Sequence, residues 1–179
     1  MGTVKQLLPV HDRPAVVRCV ENIRGPGIAD IVVVVSPAGS EVIEALSGLP
    51  VAITVNALPG NDMAASVRTG LNAVDPLSTG IFVCLCDHPL VSSATLIAMG
   101  NLHNDVPDQI IIPVFQGRKG HPTLFPHSVF ADLEGKATLR DIINLHKESI
   151  MFFDVADEGT VLDMDTPEDY QRILDRCKQ

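Results

Sequence analysis

Two acids and one lysine are the first candidates for chemistry in this sequence: Asp87, Asp165 and Lys5. Asp87 follows Phe82–Cys86, an apolar run without alternation, which predicts a strand buried on both faces. An acid beyond the carboxyl end of such a strand lies where open α/β sheets bind ligands. Asp165 ends a short apolar segment just before a helix start. Two carboxylates meeting at one sheet edge could hold Mg²⁺ together with substrate phosphates.

Each of these residues also has a plain structural explanation. Asp87 could be a surface aspartate in a strand-to-helix loop. Asp163 and Asp165 precede a helix, where acids interact favourably with the macrodipole. Lys5 is a lone lysine, and such residues are usually solvated. In a second polar segment, Gln116–His121, glycine allows close backbone approach to a ligand, but a histidine before proline could equally be a turn residue.

Two cysteines, Cys84 and Cys86, flank Leu85 and would face the same side of a strand. A C-x-C spacing is not the usual spacing of zinc ligands. We therefore predict that both thiols are core residues rather than a metal or redox pair. No disulfide is expected in a cytosolic chain.

The bulk composition excludes several classes of function. The chain has 179 residues, of which 46% are hydrophobic, so one domain spanning residues 1–179 is predicted. Its net charge is −9 and it has no Lys/Arg-rich run, so no nucleic-acid partner is expected. No apolar run reaches the roughly 18–20 residues of a membrane span, and no signal peptide is visible, so a cytoplasmic protein is expected. The P-loop, G-x-G-x-x-G and G-x-S-x-G motifs do not occur.

Strand and helix patterns alternate along the chain, which predicts an α/β fold with a mostly parallel sheet covered on both faces. Predicted strands are 31–35, 51–55, 82–86, 109–115, 123–125 and 150–155. Predicted helices begin near residues 14, 40, 63, 92, 128, 138 and 166, with Ser92 or Ser93 as the cap of the fourth. The last one carries a threonine cap, proline at its first position and two acids in its first turn.

Several motifs then recur in one order over nearly the whole chain. They are MG-x-x-K-x-LLP from Met1, G-x-x-M-x-x-S-x-x-x-G from Gly60, CDHPLV ending at Val91, GRKGHPTLF from Gly117, Leu133-x-Gly135 with Arg140, and DMDTPEDY from Asp163. This series resembles the MobA-like nucleotidyltransferases, especially the molybdenum cofactor cytidylyltransferase branch. The GRKGHPTLF and DMDTPEDY segments are its specific part.

The resemblance implies a three-layer, Rossmann-like fold of the glycosyltransferase-A type. It also implies transfer of a nucleotidyl group, CMP from CTP in that branch, from an NTP to a phosphorylated acceptor, with release of pyrophosphate. The acceptor would be molybdopterin carrying molybdenum, with a molybdoenzyme as a further partner and Mg²⁺ as the cofactor.

The resemblance also assigns roles to individual residues. Asp87 and Asp165 would bind Mg²⁺, with Asp163 as the alternative to Asp165, and Lys5 would contact the triphosphate. The nucleotide would lie by Gly2, Gly60, Met63 and Ser66, and the acceptor by Gly120, His121 and Pro122.

The family begins with a strand and a glycine-rich loop, L-A-A-G-x-S-x-R-M-G, of which only Met1 and Gly2 are matched here. That loop is the main phosphate cradle, and the strand belongs in the middle of the sheet, so its loss would leave two open edges. One hypothesis is that Met1 is an internal methionine of a longer chain. The alternatives are a catalytically silent nucleotide- or cofactor-binding domain of the same fold, or a transferase for another NTP or acceptor. A smaller departure is Lys136, where the family often has an acid.

Overall fold

The elements of the fold follow the predicted order of strands and helices. The computed structural model describes residues 4–25, 27–28, 30–58, 63–133 and 138–178. Its strands are β1 (Pro9–Val10), β2 (Arg13–Pro14), β3 (Val32–Val35), β4 (Ala52–Val55), β5 (Gly80–Val83), β6 (Ile110–Phe115), β7 (Arg118–Lys119), β8 (Thr123–Pro126) and β9 (Ile150–Asp154). Its α-helices are α1 (Ala15–Ile23), α2 (Ser40–Ala45), α3 (Met63–Leu71), α4 (Ser93–Asp105), α5 (Leu139–Leu145) and α6 (Pro167–Arg176). Four 3₁₀ helices are described as well: Lys5–Leu7, His127–Asp132, Lys147–Ser149 and Glu158–Val161. None of the helices in the described ranges is both long enough and apolar enough to span a bilayer.

The larger sheet is mixed rather than mostly parallel. Its strand order is β5-β8-β6-β7, and β9 pairs with β6 in parallel. β8 runs antiparallel to both β5 and β6. The reason is a tight hairpin after β6, in which Gln116 and Gly117 have φ angles of 48° and 78° and join Phe115 to its partner Arg118. Two central residues with positive φ make the type of turn that reverses a strand directly, so the chain returns antiparallel.

Helices cover both faces of this sheet. Successive residues of β6 point to opposite sides, so their neighbours show which helices pack on each face. Ile110 and Ile112 pack with Phe125 in a cluster that also contains residues of α3 and α5. Ile111 packs instead with Met99 of α4. The sheet therefore lies between two helical layers, as the sequence predicted.

The strand before the candidate acid Asp87 is shorter than the apolar run indicated. The predicted strand was Phe82–Cys86, but β5 ends at Val83, which pairs with Thr123 at the start of β8. Residues 84–86 have no strand partner in the described part of the chain because β8 begins only at Thr123. Asp87 consequently lies in an irregular loop a few residues beyond the strand, not directly after it.

A second, smaller sheet consists of β3 and β4, which pair in parallel from Val32 opposite Ala52 to Val35 opposite Val55. Within the described ranges no ladder joins this pair to β5. Most side chains of β3 and all of those of β5 are only partly buried. The described residues therefore form separate ladders at this place rather than one continuous sheet.

Candidate active site

Lys5, Asp87 and Asp165 meet at one point of the fold. Lys5 Nζ lies 2.6 Å from Oδ1 of Asp165 and 3.5 Å from Oδ2 of Asp87. Lys5 begins the 3₁₀ helix before β1, Asp87 lies in the loop after β5, and Asp165 lies just before α6. Three segments distant in sequence are thus brought together, and both predicted carboxylates face the same ammonium group.

The electrostatics of this cluster favour a positive charge between the carboxylates. The hydrogen bond to Asp165 raises the pKa of Lys5, and Coulombic attraction to Asp87 and Asp165 acts in the same direction, whereas burial opposes it. The side chain of Asp165 is 63% exposed, so water screens its part of the ion pair. Asp87 is 23% exposed, and its charge is less well screened.

Asp87 also has a carboxylate oxygen that the protein does not satisfy. Its Oδ1 is buried and has no hydrogen-bond partner among the described residues. Because buried polar atoms nearly always have a partner, an unpaired carboxylate oxygen at this position suits a bound cation. In the described ranges no group of three or more His, Cys, Asp or Glu side chains is arranged to hold a metal alone. Mg²⁺ is commonly bound by one or two carboxylates plus substrate phosphates, so Asp87 and Asp165 fit Mg²⁺ held jointly with a nucleotide.

The start of α6 determines where Asp165 lies. Thr166 and Asp169 form the capping box: the backbone N–H of Thr166 donates to Asp169 Oδ2 at 3.2 Å, and the backbone N–H of Asp169 donates to Thr166 Oγ1 at 3.1 Å. The hydroxyl of Tyr170 donates to the carbonyl of Pro9 at 2.6 Å and joins α6 to β1. Beside these contacts, Met164 is fully buried in the core. Asp165 is therefore held in place between the buried Met164 and the capped start of α6.

Two imidazole rings adjoin the acids. The rings of His88 and His121 have centroids 5.1 Å apart and lie at 56° to each other. His88 is 8% exposed, and the Nδ1 atoms of both rings lack a hydrogen-bond partner among the described residues. They line a cavity of about 20 Å³ with the predicted acceptor-side residue Pro122. His88 was missed by the sequence analysis, although it stands between Asp87 and a proline within the CDHPLV motif.

The two candidate acids of the last motif face different neighbours. Asp165 contacts Lys5, whereas Asp163 acts on His121. Burial lowers the pKa of His121, and the neighbouring His88 lowers it further, while the charges of Asp87 and Asp163 oppose this effect. Asp165 is thus the acid of this motif that shares Lys5 with Asp87, and the charge of Asp163 acts on the ring of His121 instead.

On the predicted nucleotide side the structure describes Met63 and Ser66, while Gly2 and Gly60 lie outside the described residues, as does Lys136. Met63 begins α3 and is 53% exposed. Ser66 accepts a hydrogen bond from Nδ2 of Asn56 at 3.1 Å, and Asn56 is itself 7% exposed at the end of β4. Asn56 thereby fixes the position of α3 relative to β4, a role that the sequence pattern did not indicate.

Three of the cysteines lie in or beside the loop that carries Asp87. Burial raises the pKa of Cys84 to about 12, and burial also raises the pKa of Cys19 and Cys86. The thiol of Cys19 donates to the carbonyl of Cys86 at 3.5 Å, and all four cysteines are free. Cys19 is buried, whereas Cys84 and Cys86, which the sequence analysis predicted to be core residues, are only partly buried.

The chain is similar to known nucleotidyl transferases. The sequence profile of the MobA-like NTP transferase domain matches residues 1–149. No curated protein sequence matches the chain. The crystal structure of Rv0371c from Mycobacterium tuberculosis H37Rv has a TM-score of 0.80 and 28% sequence identity, and the match covers 98% of this chain and 90% of that chain. Rv0371c in complex with manganese has a TM-score of 0.78 and 27% identity, with 97% and 93% covered.

A nucleotidyl transferase from Methanothermobacter thermautotroptrophicus shares the fold as well, with a TM-score of 0.83, 22% identity and coverage of 97% of this chain and 85% of that chain. These superpositions confirm the predicted three-layer α/β fold. The family profile, which covers most of the chain, confirms the resemblance found in the sequence motifs. The chain therefore belongs to the MobA-like NTP transferase domain family of nucleotidyltransferases.

Proposed function

We propose that this chain transfers CMP from CTP to a phosphorylated acceptor of the molybdopterin type and releases pyrophosphate. The observation that carries the proposal is the meeting of Lys5, Asp87 and Asp165 at one point. Choice of CTP and of the acceptor depends on the resemblance of GRKGHPTLF and DMDTPEDY to the cytidylyltransferase branch. A molybdoenzyme that receives the product is the further partner we infer.

The reaction forms one phosphorus–oxygen bond and breaks another. An oxygen of the acceptor phosphate attacks the α-phosphorus of the NTP in line, and the bond from that phosphorus to the oxygen bridging the α- and β-phosphates breaks. The electron pair of the broken bond leaves with pyrophosphate. Because the acceptor phosphate is already ionised, no general base is needed, and catalysis consists of positioning and charge neutralisation.

Asp87 and Asp165 are the residues that would hold Mg²⁺, and the bound ion would supply positive charge to the phosphate oxygens. The unpaired Oδ1 of Asp87 supports this assignment, and so does the manganese complex of the related Rv0371c. Lys5 brings a further positive charge to the same point, and we assign it to the triphosphate. These cations are needed because the chain carries a net charge of −9.

We assign two regions around this point to the two substrates. Met63 and Ser66, at the beginning of α3, would line the nucleotide, together with Gly2 and Gly60. The turn Gly120–Pro122 would line the acceptor, and its proximity to the acids is supported by the effect of Asp87 and Asp163 on His121. The two substrates would thus approach the metal from different loops.

Pyrophosphate release tests the proposal directly. The chain is incubated with CTP, GTP, ATP or UTP, with Mg²⁺ or Mn²⁺, and with molybdopterin or other phosphorylated acceptors. We expect the fastest release with CTP and molybdopterin, and none from Asp165→Ala, whereas Asp175→Ala, on the exposed side of α6, serves as the matched control. A preference for another NTP or acceptor would support the proposed type of reaction but change the proposed substrates. Nucleotide binding without turnover on any acceptor would favour the catalytically silent domain instead.

A further inference from the structure

The carboxylate of Asp157 has three hydrogen-bond donors from two separate parts of the chain. Its Oδ2 accepts from the backbone N–H of Ser92 at 2.8 Å and from the hydroxyl of Thr95 at 2.7 Å. Its Oδ1 accepts from the backbone N–H of Gly159 at 3.0 Å. The side chain of Asp157 therefore joins the N-terminus of α4 to the 3₁₀ helix Glu158–Val161.

Both joined segments lead directly to the proposed metal site. Ser92 is the N-cap of α4 and ends the loop that carries Asp87. The 3₁₀ helix beginning at Glu158 is followed immediately by the segment that carries Asp165. Asp157 thus connects the two carboxylate-bearing segments at their bases, although the contacts described for it include none with either carboxylate.

The 3₁₀ helix Glu158–Val161 also positions the loop that contains His121. The backbone N–H of His121 donates to the carbonyl of Thr160 at 2.8 Å. A Cβ atom on Gly120 would lie 2.6 Å from that carbonyl oxygen, and a Cβ on Gly159 would overlap the carbonyl of Leu90. At these two glycines the neighbouring backbones are packed too closely to leave room for a side chain. A shift of the 3₁₀ helix Glu158–Val161 would therefore move the loops that carry Asp87, His121 and Asp165.

We propose that Asp157 is a positioning residue of the active site, which sets the distance between the two metal-binding carboxylates by joining their segments. The proposal rests on the proposed function, because it takes Asp87 and Asp165 as the metal ligands. Partners of metal ligands commonly contribute about 10–100-fold to metal affinity, and Asp157 acts one step further away through the backbone. Loss of the Asp157 carboxylate should nevertheless lower the metal affinity, because it releases both carboxylate-bearing segments at once.

The test is Mn²⁺ binding to the nucleotide-free chain, measured by electron paramagnetic resonance, for Asp157→Asn. An amide has only one acceptor oxygen, so it cannot accept from the N–H of Gly159 on one side and from Ser92 and Thr95 on the other, and at least one of these hydrogen bonds is lost. We expect Mn²⁺ affinity to fall about tenfold. The matched control is Asp141→Asn, which removes the capping-box carboxylate of α5. That variant should lower the melting midpoint and leave Mn²⁺ affinity unchanged.

A second pair of variants serves if Asp157→Asn does not fold. Thr95→Val removes one donor to Asp157 and should weaken Mn²⁺ binding, whereas Thr95→Ser retains the hydroxyl and should restore it. In active preparations the defect should appear in kcat at saturating NTP and metal. Unchanged Mn²⁺ affinity in folded Asp157→Asn, or equal affinities for the two Thr95 variants, would overturn the proposal.

A readout without metal separates this proposal from the proposed function. The carboxyl ¹³C signal of Asp165 reports its contact with Lys5 in the metal-free chain. If the wild-type chain binds no Mn²⁺ either alone or together with CTP, the proposed metal site fails. A shift of the Asp165 signal in Asp157→Asn but not in Asp141→Asn would still support positioning, and no shift would contradict it.

Discussion

Lys5 and Asp165 form an ion pair at 2.6 Å across 160 positions of sequence, and the same ammonium group reaches Asp87 at 3.5 Å. The chain thus places its own cation between the two carboxylates proposed as metal ligands. An ammonium and a divalent cation at this point compete for the same negative charge. When a metal binds, Lys5 becomes available for another anion, and the triphosphate is the anion we assign to it.

Lys5→Met should therefore have opposite effects on metal and nucleotide. Without nucleotide, Mn²⁺ should bind a few-fold more tightly, because an exposed ion pair of about 1 kcal/mol or less no longer competes. The affinity for the NTP in the presence of metal should fall, because a positive charge on the phosphates is lost. Both affinities can be measured by isothermal titration calorimetry.

Lys178→Met is the matched control for this change. Lys178 also forms an exposed ion pair, with Nζ 2.9 Å from Oδ1 of Asp175, but it belongs to the end of α6. Both affinities should equal those of the wild type in this variant. Weaker Mn²⁺ binding in Lys5→Met would show that the ammonium helps to hold the metal-binding geometry instead of competing with the metal.

Asp87→Ala should abolish metal-dependent pyrophosphate release while the fold persists. The loss should exceed about 100-fold, because removal of a ligand is more damaging than removal of its hydrogen-bond partners. The fold should survive because Oδ1 has no partner to lose among the described residues and Oδ2 contacts only the partly exposed Lys5 there. Turnover and the circular dichroism melting curve would be measured together. Undiminished turnover would exclude Asp87 as the ligand.

Local sequence signals predicted the elements that hold the site. The cap at Thr166 with Pro167 and Asp169 was predicted correctly because a capping box involves residues three apart. The strand predicted over Gln109–Phe115 is also confirmed, since β6 spans Ile110–Phe115. In these cases the signal lies within a few residues of sequence, so the local pattern is sufficient to predict the element.

Long-range partners were not predictable in the same way. The run Phe82–Cys86 is apolar throughout, but β5 ends at Val83 because its antiparallel partner β8 begins only at Thr123, opposite Val83. Asp157 stands in a polar loop without a motif, and its donors Ser92 and Thr95 lie 65 and 62 positions away. Such residues acquire their role only from the way distant loops pack.

The Cys84 thiol should react very slowly with alkylating reagents. Burial raises its pKa to about 12, so at pH 8 only roughly one thiol in 10,000 is ionised, compared with about a quarter of free cysteine. Iodoacetamide labelling of the native chain, followed by peptide mass spectrometry, should show little modification of Cys84 and a rate that rises about tenfold per pH unit. Cys84→Ala should cost about 1 kcal/mol of stability and leave turnover unchanged. Labelling as fast as free cysteine would contradict the assignment of Cys84 to the interior.

Stability should fall as the pH drops below about 6.5, and His103 should account for part of that loss. His103 is 5% exposed, and burial lowers its pKa from the ordinary value of 6.5, although Thr79 and Asp108 oppose the shift. Between the lowered folded value and 6.5 the unfolded chain binds more protons, so stability is complete above pH 6.5 and is lost towards lower pH. Burial also lowers the pKa of His121, so His121 adds to the loss of stability at low pH.

Urea unfolding from pH 7.5 to 5.0 measures the effect. His103→Asn should be less stable at pH 7.5, since the ring packs against Gly80, but its stability should depend less steeply on pH than that of the wild type. The slope can change by at most about 1.4 kcal/mol per pH unit, because one proton is involved. The exposed His11, replaced in His11→Asn, provides the control and should retain the wild-type slope. An identical pH dependence in His103→Asn and wild type would show that this buried ring does not couple protonation to folding.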